Sequence, residues 1–174
     1  SRQRDRRARG APPGRSDPQQ HIARSTPEHL ARYLKPQLEA LGLVADDMAK
    51  VAAVAKAQQE RAKTLKEMAQ NSQFFFREVT GYDEKAARHL SAEISPVLEA
   101  VKDKLSALAE WTAPAIHEAI TAVATERSLG LGKVAQPIRV AVSGGTVSPP
   151  IDVTLEILGQ ETTLARLERA IVHQ

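Results

Sequence analysis

The chain has 174 residues, 42% of them hydrophobic, and contains no cysteine, which excludes disulfides, thiolate metal sites and cysteine nucleophiles. This length is sufficient for one medium domain or two small helical subdomains with a buried core. No apolar run approaches the length of a membrane span and the polar beginning has no signal-peptide pattern, so the sequence predicts a soluble, cytoplasmic protein without membrane attachment.

The formal net charge of +3 is concentrated in the first twenty residues. That segment holds six arginines and two aspartates, which leaves a net charge of −1 for residues 21–174. A nearly neutral body argues against broad nonspecific binding to nucleic acid, which needs many phosphate contacts, but it permits a small local RNA site. Because Ile22 is the only large apolar residue in 1–24, we predict a disordered basic tail there.

From Ser25 onward, apolar residues repeat at helical spacing. Ser25 and Glu28 have the spacing of a capping box, which predicts the start of a first helix. Gly42 is predicted to end this helix. Pro36 interrupts it, so we expect a kink or a restart near Lys35.

A long helical region is predicted to begin at 46–47 and to run towards the three phenylalanines at 74–76. Its later half carries a basic cluster, which is typical of a solvated helix face; a phosphate contact is the less favoured alternative. Consecutive helical residues point about 100° apart, so the phenylalanines are predicted to anchor the core rather than to stack on bases. The basic residues of the cluster are Arg61, Lys63 and Lys66.

Five further helices are predicted after the phenylalanines. They cover 83–90, a segment that starts at Ser95–Pro96, a segment from Thr112 to Gly130, and about 149–158 and 162–172. No stretch alternates clearly enough to predict a strand. The expected fold class is therefore all-α, with two packed helical subdomains at 25–110 and 111–174.

No catalytic signature is apparent in the sequence. His117–Glu118 begins a zinc-protease spacing, but Thr121 stands where the second histidine would be required. We find neither a nucleophile–base pair nor a phosphate-binding loop, and we predict no metal, no cofactor and no catalysis by this chain alone. The five histidines are scattered, at positions 21, 29, 89, 117 and 173.

The most informative stretch is GKVAQPIRVAVSGGTVSPPI, residues 132–151. It places Arg139 in an apolar segment that Pro137 is predicted to close on one side and Gly144–Gly145 on the other. One interpretation is a partly buried arginine paired with a carboxylate such as Glu156 or Glu161. The other is an arginine whose planar guanidinium grips the edge of an unpaired RNA base with two hydrogen bonds.

A helix start is predicted immediately after this arginine, at Ser148–Pro149–Pro150. Serine is a favoured N-cap residue, and proline at the first helical position needs no hydrogen-bond acceptor. The remaining N–H groups of such a start can bind a phosphate or a base acceptor, although most helix starts have no ligand.

Several parts of the chain resemble the C-terminal, anticodon-binding half of bacterial glutamate–tRNA ligases, which are class I glutamyl-tRNA synthetases. The resemblance is carried by TPEHLARYLKPQLEALGL, by the Arg-Ala-Lys-Thr-Leu segment that leads to Phe-Phe-Phe, and by 132–151, which follows the family's QPLR-(V/A)-A pattern. The terminal LGQETTLARLERAI is similar to the family's closing helix. The resemblance covers about Thr26 to Ile171 and implies a helical pair of subdomains that reads the anticodon.

By this resemblance, Arg139 would contact the first anticodon base, and Ser148, Pro149 and Ile151 would lie beside it and shape the pocket. The implied partner is the anticodon arm of glutamate tRNA in protein biosynthesis. The family's ATP-dependent catalytic domain is not among these 174 residues, which implies a separate catalytic domain as a further partner. The alternative is a helical scaffold or protein-interaction remnant of a truncated synthetase gene without RNA function.

Overall fold

A computed structural model describes residues 22–173 of the chain. That part contains no β-strand, so the predicted all-α class is confirmed. Two short 3-10 helices, Gln73–Phe75 and Ala86–His89, lie between the α-helices Leu65–Asn71 and Ser95–Ser106. The α-helices from residue 27 onward are α1 (Pro27–Ala40), α2 (Met48–Gln58), α3 (Leu65–Asn71), α4 (Ser95–Ser106), α5 (Ala113–Glu126), α6 (Leu131–Ser143), α7 (Ile151–Leu158) and α8 (Gln160–Val172).

Helix α1 begins one residue later than predicted. The hydroxyl of Thr26, not of Ser25, caps it by accepting a hydrogen bond from the His29 N–H at 3.2 Å. Its end at Gly42 is confirmed, because Gly42 has φ +80° and a Schellman pair of hydrogen bonds closes the helix. Of the kink or restart predicted near Lys35, the restart is wrong, because α1 continues through Pro36. Burial of Leu34 and Leu38 on either side of the proline holds the helix together.

The region predicted as one long helix from 46–47 is two helices. The start is confirmed, since the Asp47 carboxylate caps α2, but α2 ends at Gln58. The buried Gln58 side chain donates to Ser72 Oγ at 3.2 Å, and Thr64 caps α3. Arg61 and Lys63 therefore lie in the turn between α2 and α3 rather than on a helix face.

The helix that begins at Thr112 is shorter than predicted. Thr112 caps α5 as expected, but α5 ends at Glu126, and Gly130 is the N-cap residue of α6 instead of the end of α5. The chain turns between the two helices at Ser128, which has φ +53°. The helix predicted at 83–90 is reduced to the 3-10 helix Ala86–His89.

One apolar core extends through the described residues, from Ile22 to Ala170. Phe74 and Phe75 belong to it, which confirms their predicted role. Helix α4 packs against α5 and α8, and α2 packs against α1 and α7. Some of these contacts cross the proposed boundary between 25–110 and 111–174, and the division into two subdomains stays a prediction.

The predicted disordered tail falls mostly on residues 1–21, which lie outside the described residues. At 22–24 the prediction is wrong: these residues are helical and Ile22 is buried in the core. The Gln59 side chain also fixes this segment by donating hydrogen bonds to the Ala23 and Ser25 carbonyls. Between residues 22 and 173, no helix has both the length and the apolar character needed to cross a membrane.

Candidate nucleic-acid interface

Arg139 lies on α6, about one turn before the helix ends. The sequence predicted that Pro137 closes the segment, and this is wrong. Pro137 lies buried inside the helix. The apolar residues of α6 face the core, and their burial outweighs the hydrogen bond that the proline removes. Arg139 is half-buried at the edge of this face.

Two hydrogen bonds fix the Arg139 guanidinium. Nε donates to Ser148 Oγ at 2.8 Å, and Nη1 donates to Gln136 Oε1 at 2.5 Å. No described carboxylate forms an ion pair with Arg139, so the predicted alternative of pairing with Glu156 or Glu161 is wrong. Glu156 instead accepts a hydrogen bond from the Ala113 N–H at the start of α5.

Arg139 therefore keeps free hydrogen-bonding capacity. A guanidinium has five N–H donors, and two of them are used, so three remain on the Nη atoms. Burial lowers the pKa of Arg139, and the nearby charge of Arg61 lowers it further. The guanidinium is thus a partly desolvated cation with a second cation close by and no counter-ion among the described residues, an arrangement that favours an incoming anion or base acceptor.

Arg61, predicted on a solvated helix face, is exposed but lies in a turn and not on a helix. The turn between α2 and α3 brings it close enough to Arg139 for their charges to interact. Periodicity alone hides this proximity, because the turn was predicted as continuous helix. The signal available in the sequence was the basic cluster that Arg61 forms with Lys63 and Lys66.

Ser148, Pro149 and Ile151 are buried, and Ser148 is the one of the three that contacts Arg139. The predicted N-cap role of Ser148 is wrong, because α7 begins at Ile151 with Pro150 as its N-cap residue. Ser148 Oγ instead accepts from Arg139 and donates to the Pro149 carbonyl at 2.7 Å, and Thr154 Oγ1 donates to the same carbonyl at 3.0 Å. Ser148 therefore holds the arginine directly, the Pro149 carbonyl holds Ser148, and all three residues present little surface of their own.

Gln136 is a site residue that sequence reasoning missed. Its Oε1 accepts from Arg139, while its Nε2 donates to the Thr146 carbonyl at 3.3 Å. It therefore ties the guanidinium to the loop that follows α6. Two signals in the sequence point to it: it stands three residues before Arg139, which places both side chains on one side of a helix, and it is the glutamine of the QPLR pattern.

The glycine end predicted for this segment is confirmed at Gly144. Its φ is +79°, and an added Cβ would lie 2.8 Å from the Gly81 carbonyl oxygen. The Gly144 carbonyl accepts a hydrogen bond from the Asp83 N–H at 2.8 Å. The loop that carries Ser148 is therefore held against residues 81–83, far away in the sequence.

Arg166 on α8 supports the same region from inside the fold. It is only 6% exposed and donates to the carbonyls of Phe74, Val142 and Arg77 at 2.6–2.9 Å. Burial lowers its pKa; nearby Glu78 raises it and Arg169 lowers it. Since Val142 lies in the last turn of α6, the cation also compensates the negative end of that helix.

The described residues contain no group of three or more histidine, aspartate or glutamate side chains arranged to hold a metal ion. The polar groups that contact the Arg139 guanidinium are the Ser148 hydroxyl and the Gln136 side-chain carbonyl, and both accept hydrogen bonds from it. The chemistry available at this site is hydrogen bonding and charge attraction.

Comparison with known proteins identifies the fold. The family model of the anticodon binding domain matches residues 29–171. Glutamate–tRNA ligase 1 of Nitrosococcus oceani is 51% identical over 154 residues, and that of Alkalilimnicola ehrlichii is 53% identical over the same length; each alignment covers 88% of this chain and 33% of the relative. The chain thus spans about a third of the length of the curated relatives it matches.

A solved structure has the same architecture. A glutamate tRNA ligase from Elizabethkingia meningosepticum, determined in complex with its amino acid, superposes with a TM-score of 0.81 and 27% identity, covering 90% of this chain and 31% of that one. The glutamate-tRNA synthetase of Elizabethkingia anophelis superposes with a TM-score of 0.74. The chain therefore belongs to the anticodon binding domain family and matches the C-terminal part of glutamate–tRNA ligases.

Proposed function

We propose that this chain binds tRNA and reads the anticodon arm of glutamate tRNA through Arg139. The observation that carries the proposal is the guanidinium itself, which is fixed by Ser148 and Gln136 and retains three N–H donors. The family of the chain and the names of its relatives support RNA as the ligand. A fixed fork of this kind suits the edge of an unstacked base in a single-stranded loop.

Each residue of the proposed site has a distinct role. Arg139 contacts the base edge, while Ser148, Pro149 and Ile151 shape the pocket under the guanidinium. Arg61 adds a positive charge from the α2–α3 turn and contacts a phosphate. The Arg139 guanidinium can donate two hydrogen bonds to one base, so loop bases that lack two suitable acceptors bind less well.

The proposed role is recognition in protein synthesis, without catalysis by these residues. Aminoacylation is proposed to depend on a catalytic domain that supplies the acceptor-stem contacts. Without those contacts, the affinity of the chain for tRNA is expected to be on the order of micromolar or weaker at physiological salt. One bidentate base contact contributes roughly 1–3 kcal/mol of discrimination.

A binding titration tests the proposal. Glutamate tRNA and a transcript with a swapped anticodon are titrated against the wild-type chain and against Arg139→Lys, which keeps the charge but loses the fork. We expect the wild type to prefer glutamate tRNA by roughly 5- to 150-fold and Arg139→Lys to lose most of that preference. Arg32→Lys, at an exposed position on α1, is the matched control and should retain it.

Two outcomes would overturn the proposal. Equal affinity of the wild type for both RNAs would remove anticodon reading. No measurable binding to either RNA would favour the alternative of a helical scaffold or protein-interaction remnant without RNA function.

A further inference from the structure

A second groove, with basic side chains on a largely apolar lining, lies next to the Arg139 site and is not used by the function proposed above. It runs between the 3-10 helix Ala86–His89 and the first turns of α6, with a volume of about 550 Å³. Arg88 and His89 line one wall, and Lys133 and Gln136 line the other. We call it the Lys133 groove.

The charged side chains of the Lys133 groove all have the same sign. Among the described residues that line it, the ionisable ones are Arg88, His89 and Lys133, with no carboxylate. All three side chains are exposed, and none of them forms an ion pair with a described carboxylate. Since residues 21–174 carry a net charge of about −1, this is a local excess of positive charge and not a general property of the surface.

The groove is continuous with the proposed base-reading site. Gln136 belongs to both, because it lines the groove and accepts the hydrogen bond from Arg139 Nη1. Lys133 lies six residues before Arg139 on α6, about 9 Å along the axis, and Gln136 stands midway between them, three residues from each. An RNA strand with one base at Arg139 would therefore continue past the cations of the groove.

We propose that the Lys133 groove binds the phosphate backbone of the RNA strand whose base Arg139 reads. Arg88 and Lys133 neutralise phosphates next to that base, and they position the strand without reading its sequence. This inference rests on the proposed function and deepens it by assigning a backbone site. It predicts a division of labour between affinity and selectivity.

The test uses the double variant Arg88→Gln with Lys133→Gln. Its affinity for glutamate tRNA and for the anticodon-swapped transcript is measured across a series of salt concentrations around 0.1 M. We expect both affinities to fall by the same factor, with the preference between the two RNAs unchanged. The dependence of log affinity on log salt should become less steep by roughly 1.5, since each lost phosphate contact contributes about 0.7 to 0.9.

A matched control removes the same charge from another groove. Arg32 and Lys56 line the cleft between α1 and α2, so Arg32→Gln with Lys56→Gln changes the net charge equally. This control should shift the salt dependence much less than the groove variant. Urea unfolding of both double variants confirms that exposed substitutions leave the fold intact.

The outcomes separate this inference from the proposed function. If the wild type prefers glutamate tRNA but the groove variant has unchanged affinity and salt dependence, the groove is not a backbone site and anticodon reading stands. If the groove variant loses the preference itself, the groove reads bases and the inference is overturned. A wild type that binds neither RNA overturns both.

Discussion

Arg139 Nε lies 2.8 Å from Ser148 Oγ, and this bond connects the penultimate turn of α6 to the residue that precedes the two prolines before α7. Because Ser148 Oγ also donates to the Pro149 carbonyl, its orientation is fixed by two partners. The guanidinium is therefore pre-organised before any ligand arrives. Pre-organisation of this kind lowers the ordering cost of binding.

Removal of the Ser148 hydroxyl should loosen the arginine without unfolding the chain. We expect Ser148→Ala to reduce the preference for glutamate tRNA severalfold and to lower the free energy of unfolding by about 1–3 kcal/mol, because the hydrogen bonds with Arg139 and with the Pro149 carbonyl are both lost. Parallel tRNA titrations and urea unfolding measure the two effects. Ser106→Ala removes a hydroxyl that donates to the Asp103 carbonyl on α4, and it should leave the RNA preference unchanged. An unaltered preference in Ser148→Ala contradicts the orienting role.

Replacement of Gln136 by glutamate should weaken RNA binding at the Arg139 site. The new carboxylate would lie 2.5 Å from Arg139 Nη1 and pair with it, and it would also repel RNA phosphates. We expect Gln136→Glu to weaken binding of both RNAs by tenfold or more at about 0.1 M salt, with a smaller effect on unfolding. Gln37→Glu, at an exposed position on α1, makes the same chemical change elsewhere and should alter binding little. Comparable losses in the two variants would show that only net charge matters.

Gly144→Ala should be more destabilising than its conformation alone requires. Both Gly144 and Gly42 follow the last turn of a helix with φ near +80°, but only Gly144 has a carbonyl oxygen 2.8 Å from a new Cβ; around Gly42 the space is open. We expect Gly42→Ala to lower the free energy of unfolding by about 1 kcal/mol and Gly144→Ala by at least about 2 kcal/mol. Urea unfolding of the two variants gives the difference directly. Equal losses would mean that the contact with Gly81 relaxes without cost.

Loss of Arg166 should leave three carbonyls inside the fold without the hydrogen bonds that it donates to them. We expect Arg166→Met to lower the free energy of unfolding by about 2–4 kcal/mol, because the cost of three unpaired carbonyl acceptors outweighs the gain from no longer burying a charge. Arg169→Met is the control: that arginine is exposed and donates to the Val79 carbonyl, so its loss should cost about 1 kcal/mol or less. A stable Arg166→Met would show that the desolvated charge costs as much as its hydrogen bonds contribute.

The features that could be predicted from the sequence were local ones. The helix starts at Asp47 and Thr112 depend on a capping side chain three residues from its partner, and the end at Gly42 depends on one glycine. Those signals lie within a few residues, so one sequence is sufficient to find them. The all-α class follows from the same patterns.

The features that could not be predicted depend on contacts between distant segments. Pro137 indicates a helix boundary locally, but α6 continues because the surrounding residues are buried against other helices. The proximity of Arg61 to Arg139 depends on a turn that separates α2 from α3. Ser148 resembled an N-cap residue, and only the folded chain reveals that its hydroxyl is bound to an arginine nine residues earlier.

The clamp that Arg166 forms on the carbonyls of Phe74, Arg77 and Val142 has a consequence for engineering. Together with the contact between Gly144 and residues 81–83, it means that the shape of 132–151 is imposed from outside that stretch. A synthetic peptide of those twenty residues would contain Arg139, Gln136 and Ser148 but not the groups that hold them in register. The recognition element is therefore not transplantable as a linear graft, and a minimal binder would have to retain α8 and the Phe74–Asp83 segment.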